Sequence, residues 1–79
     1  MNERLRDAAL LRTSDAAKLL GVSTPTLRSW RLRGQGPAWV DLGSERGTIV
    51  RYSLVALREF IAQREIRPTD RRRRIREQP

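Results

Sequence analysis

Residues 13–33 read TSDAAKLLGVSTPTLRSWRLR, and the way this stretch divides decides the fold. Thr13 is a suitable helix N-cap, and Asp15 falls in the first turn, where a carboxylate suits the helix dipole. Ala16, Ala17, Leu19 and Leu20 then form an apolar face, with Lys18 outside it. Gly21 ends the helix, as glycine does where φ must turn positive. Val22 sits in the turn and points inward. Ser23 caps a second helix, and Pro25 lies in its first turn, where a missing N–H costs nothing. Leu27 and Trp30 share a face that Leu32 extends, while Thr24, Thr26, Arg28, Ser29, Arg31 and Arg33 lie off it. The stretch therefore predicts two short helices joined by Gly21-Val22-Ser23, the second armed with arginines.

On the N-terminal side, residues 1–9 are polar and mixed in charge and read as a flexible segment. Leu10-Leu11-Arg12 reads as a small strand leading into the first helix. On the C-terminal side, Gly34-Gln35-Gly36-Pro37 breaks the helix. Residues 38–42 (AWVDL) alternate as a strand, Gly43-Ser44-Glu45-Arg46-Gly47 form a hairpin tip, and residues 48–52 (TIVRY) return. Val40 and Leu42 are expected to face Val50 and Tyr52, leaving Asp41, Ile49 and Arg51 on the opposite face. Ser53 caps a third helix running from Leu54 to about Ile66, with Leu57, Phe60 and Ile61 packed on the first two helices and Pro68 as a stop. The expected class is α+β and mostly helical: three helices and a two-stranded β-hairpin in one domain over residues 10–67. Residues 68–79 form a basic tail, expected to be disordered when free.

At 79 residues the chain is one small domain, of a size that buries only about 60% of its unfolded surface. It has no Cys and no His. Disulfides, zinc fingers, thiol nucleophiles and the usual general base are thereby excluded, and no metal or other cofactor is expected. Lys and Arg number 17 against 9 Asp and Glu, a net charge of +8, and Lys18 is the only lysine. Arginine is the better fork for phosphate oxygens and guanine edges, so the expected partner is a polyanion, and nucleic acid before a membrane. The apolar runs are too short to span a bilayer. Residues 1–12 carry acids and no long apolar run, unlike a signal peptide. A cytoplasmic location is expected, with no membrane and no small-molecule ligand as partner.

A helix fits the major groove of B-DNA, and side chains near its N-terminus reach base edges. The second helix offers Thr24 and Thr26, then Arg28, Ser29 and Arg31, as major-groove contacts. Ser23 and Arg33 are placed for phosphates, as are the N–H groups at the start of the helix. Gly21-Val22-Ser23 is the short connection a helix-turn-helix needs. The alternative is an ordinary helical hairpin with a solvated basic face. It is disfavoured because the side opposite Leu27 and Trp30 carries no acid.

A ribbon after such a pair serves as a wing on backbone or minor groove. Its candidates are Ser44, Arg46, Thr48 and Arg51, although Glu45 either pairs with Arg46 or marks a tip that touches protein. Trp39 and Ile49 are candidates for self-association on the hairpin's outer face. Arg71, Arg72, Arg73 and Arg74 would add phosphate contacts, a docking segment for a protein being the alternative. No catalytic residue is expected: Ser14, Ser53 and Tyr52 are isolated, and Tyr52 reads as core.

The run Thr13-Ser14-Asp15-Ala16-Ala17, Leu20-Gly21-Val22-Ser23 and Thr26-Leu27-Arg28-Ser29-Trp30, followed by Gly36-Pro37, Val40, Leu42-Gly43, Val50-Arg51-Tyr52, Leu57 and Phe60-Ile61, resembles the excisionase/MerR-like winged helix-turn-helix family. The likeness spans about residues 10–66. It implies a sequence-specific double-stranded DNA-binding protein and no enzyme. It also implies that Thr24, Thr26, Arg28, Ser29 and Arg31 face the major groove and Arg46 lies on the wing.

Relatives of this kind act as recombination directionality factors in phages and integrative elements. They bind adjacent sites cooperatively as head-to-tail oligomers, bend DNA and direct a tyrosine-recombinase integrase toward excision, in the bacterial nucleoid or a phage-infected host. Others are AlpA-type transcriptional regulators. The reading from another class is an antitoxin-like protein-interaction module whose basic tail binds an acidic partner. The segment between residues 43 and 49 is longer than the family's usual short wing turn and contains Glu45, and the arginine tail lies outside the motif.

Overall fold

The computed structural model describes residues 9–68. The elements in order are β1 (Leu10–Leu11), α1 (Thr13–Leu20), α2 (Thr24–Leu32), β2 (Val40–Asp41), β3 (Val50–Ser53) and α3 (Leu54–Gln63). The segment expected at residues 1–9, apart from Ala9, and the arginine tail lie outside the described residues.

The helix pair forms for local reasons. Gly21 adopts φ 73°, ψ 26°. Its N–H donates to Lys18 O at 3.1 Å and that of Val22 to Ala17 O at 3.0 Å, the paired bonds of a Schellman motif. α2 ends the same way: Gly34 N–H donates to Arg31 O at 3.0 Å and Gln35 N–H to Trp30 O at 2.7 Å. Ser23 caps α2 as expected, its hydroxyl accepting from Thr26 N–H at 3.2 Å. Ser53 caps α3 by accepting from Ala56 N–H at 3.0 Å. Thr13 is not the cap of α1. Arg12 holds the extended cap conformation with no side-chain bond, and its carbonyl accepts from Ala16 N–H at 2.9 Å, so Thr13 is already the first helical residue.

The three strands form an antiparallel sheet in the order β1-β3-β2. Leu10 and Leu11 pair with Ser53 and Tyr52, so the short N-terminal strand adds a third member to the expected hairpin. The expected facing of the hairpin is wrong by one residue. Val40 pairs with Arg51 and Asp41 with Val50. Because paired residues share a face, Val40 and Leu42 turn away from the core that Val50 and Tyr52 enter. A one-residue change of register moves every side chain to the other face, and alternation by itself does not choose between the two. Ladder pairing is also shorter than the expected five-residue strands, because the loop from Leu42 to Ile49 is organised by other bonds.

Ala16, Ala17, Leu27, Tyr52 and Leu57 are fully buried, with Leu11, Leu20, Val22, Trp30 and Val50 packed around them. Phe60 meets Trp30 with ring centroids 5.9 Å apart. Three expected core residues lie outside. Leu32 is 78% exposed, because five helical positions place it about 140° round from Leu27. Leu19 is off the Ala16–Ala17–Leu20 face, and Ile61 follows Phe60 by one position, about 100° round α3; both are 46% exposed. α3 also ends at Gln63, short of the expected Ile66.

Candidate nucleic-acid interface

The flank of α2 beside Leu27, which carries Thr24, Arg28 and Arg31, opens onto a cleft of about 400 Å³. Three elements line it. The start of α1 brings Arg12, Thr13 and Ser14; α2 brings Thr24, Arg28 and Arg31; the return strand of the wing brings Thr48, Ile49, Val50 and Arg51. Arg12, Arg28, Arg31 and Arg51 thus converge on one groove, and none of its lining residues is acidic. A low-dielectric wall lined by one sign of charge concentrates the field on an approaching anion.

The α2 residues singled out from sequence occupy different situations. Arg28 is exposed and has no hydrogen bond or ion pair among the described residues. Arg31 is half-buried: one Nη donates to the Tyr52 hydroxyl at 3.2 Å, and its guanidinium carbon lies 5.8 Å from the centre of the Trp39 ring. Ser29 Oγ accepts two bonds from Arg33, from Nε at 3.2 Å and from Nη2 at 2.7 Å. Thr26 Oγ1 accepts from Ser23 Oγ at 2.8 Å. Thr24 is half-buried and lines the cleft. The expected phosphate cradle at the start of α2 is reduced, because Pro25 has no N–H and that of Thr26 is bonded to Ser23.

The wing is built around Asp41. Its Oδ1 accepts from Gly43 N–H at 2.8 Å and from Ile49 N–H at 3.1 Å. Leu42 N–H donates to Ile49 O at 2.8 Å. The carboxylate thus ties the two arms of the wing together beside the Leu42–Ile49 backbone bond. Gly43 is required by packing, since a Cβ there would collide with the carbonyl oxygen of Gly47. Ser44 and Gly47 exchange backbone bonds at 3.1 and 3.0 Å, and Ser44 Oγ accepts from Arg46 N–H at 3.3 Å. Glu45 and Arg46 are exposed at the tip, and among the described residues they form no ion pair with each other. Arg51 is half-buried and donates to Val50 O at 2.7 Å. Trp39 and Ile49 are partly exposed, Trp39 beside Arg31 and Ile49 on the wall of the cleft. Arg71, Arg72, Arg73 and Arg74 lie outside the described residues.

Sequence reasoning did not single out Arg12, Thr13 and Ser14 as cleft residues, nor Asp41 as the wing's organiser. A cation immediately before a helix start was a readable sign for the first group. For Asp41 the readable sign was an Asp two residues before a Gly, the spacing of a side chain bonding its own backbone two residues on. Among the described residues, no His, Cys, Asp and Glu gather as a metal site, and no helix is long and apolar enough to cross a membrane. A protein-family model described as a helix-turn-helix domain matches residues 10–65. No curated protein and no solved structure matches the chain.

Proposed function

The chain belongs to the helix-turn-helix domain family, and we propose that it binds its DNA site as an excisionase, a recombination directionality factor. DNA binding follows from the family. The observation that supports this mode of binding is the acid-free cleft in which Arg12, Arg28, Arg31 and Arg51 meet. In the proposed complex α2 enters the major groove, presenting Thr24, Arg28 and Arg31 from the cleft, with Thr26 and Ser29 further round the helix. The wing, through Ser44, Arg46, Thr48 and Arg51, lies on backbone or minor groove. Ser23 and Arg33 hold phosphate, and Arg71, Arg72, Arg73 and Arg74 extend the phosphate contacts.

The step from DNA binding to excision rests on the resemblance of the helix pair and hairpin to excisionases. Protomers would line up head to tail, bend the DNA and bring the sites of a tyrosine-recombinase integrase together. Exposed apolar side chains on the wing outside the cleft, Trp39 with Val40 and Leu42, support contact between neighbouring protomers, whereas Ile49 lines the cleft itself. The protein would carry out no bond chemistry itself.

The test is a footprint on DNA flanking the chain's own gene, followed by an excision assay with the neighbouring integrase. Tandem protected repeats beside an attachment site, with excision stimulated by the protein, are expected. A single protected promoter site and no effect on excision would assign the chain to transcriptional regulation instead.

A further inference from the structure

α2 carries two cleft-lining arginines three positions apart, and the structure treats them differently. Arg28 projects freely. Arg31 clasps two parts of the wing. It donates to the hydroxyl of Tyr52 on β3, whose ring is fully buried, and it lies beside Trp39, just before β2. Swinging the Arg31 guanidinium away from Trp39 and out to a base edge would release Tyr52 and leave that hydroxyl without its partner at the edge of the core. That loss is comparable to what a base contact returns. Arg28 pays no such penalty. The hydroxyls of Thr26 and Ser29 are already in bonds with Ser23 and Arg33. Thr24, one turn before Arg28, shares the cleft with it.

Resting on the reading that the cleft takes duplex DNA, we infer that Arg28 is the specificity-determining arginine and reads a guanine through O6 and N7. Arg31 is a positioning residue that holds the wing at a fixed angle to α2. Base reading is then confined to the N-terminal half of α2, and the recognised element is short and centred on that guanine. The remaining affinity comes from phosphates and is indifferent to sequence.

The test begins with sites selected from a random duplex pool. Their strongest guanine is then replaced by 7-deazaguanine, which lacks the N7 acceptor. A wrong base pair at that position should cost the wild type roughly 5- to 150-fold in affinity, and 7-deazaguanine a measurable part of it. Arg28→Ala should bind the guanine and 7-deazaguanine sites equally. Arg31→Ala, and Arg31→Lys as a variant that keeps the charge, should retain the preference for guanine. Both should lose affinity on all sequences alike and lose the wing's patch in a hydroxyl-radical footprint.

Discrimination that survives in Arg28→Ala, or that disappears with either Arg31 change, overturns the assignment. A wild type that binds duplex without base preference also overturns it, while DNA binding stands. One that binds no duplex overturns both.

Discussion

Asp41 occupies a position where simple alternation puts a solvated side chain, yet its carboxylate closes the loop of the wing through Gly43 and Ile49 N–H. Exposed hydrogen bonds contribute modestly, so Asp41→Ala should lower stability by only about 1 kcal/mol. Its larger effect should be local. Amide exchange at Gly43 and Ile49, followed by NMR, should accelerate relative to Leu27 and Leu57. Equal protection before and after the change would mean that the carboxylate does not organise the wing.

A second contrast involves two leucines of one helix. Leu27 is fully buried and Leu32 is 78% exposed. Leu27→Ala should cost about 2–5 kcal/mol, and Leu32→Ala should stay within about 0.5 kcal/mol. Thermal melts of the two variants check this directly, and similar costs would contradict the placement of α2.

Among the elements, α1 and α2 owe their geometry to the turn between them. Beyond its chain neighbours, nothing lies within 4 Å of a Cβ built on Gly21, but its φ is 73°. Gly21→Ala should therefore cost about 1–2 kcal/mol through backbone conformation alone, measurable by denaturant titration with an unchanged m-value. The wing poses a different question. Arg46 and Glu45 sit together at the exposed tip without pairing, so each is free to act on a nearby phosphate. If the tip lies on DNA, Glu45→Gln should tighten binding and Arg46→Ala weaken it. The slope of log affinity against log salt should also become shallower by about 0.9 in Arg46→Ala. Unchanged affinities in both variants would indicate a wing that touches protein.

For the molecule as a whole, charge governs encounter with DNA. The net charge is +8, and the segment from residue 71 onward holds five arginines against Glu77. Removing residues 69–79 should weaken binding by a similar factor on every duplex and flatten the salt dependence. A titration over several salt concentrations would show this, and an unaltered slope would remove the tail from the phosphate contacts. The helix pair was legible because its signals are local: Gly21 for a left-handed residue, Ser23 for a cap, Leu27 and Trp30 at helical spacing. Each acts within a few residues of itself, so the linear order of residues carries the information. The same holds for the excess of arginine and for the absence of Cys and His. Which face of β2 meets the core was not local. It depends on the pairing of Val40 with Arg51, a register that an alternating pattern fits equally well in either of two ways. The division of labour between Arg28 and Arg31 likewise arises only when β3 brings Tyr52 beneath α2, since residues 21 positions apart have no relation until the chain is packed.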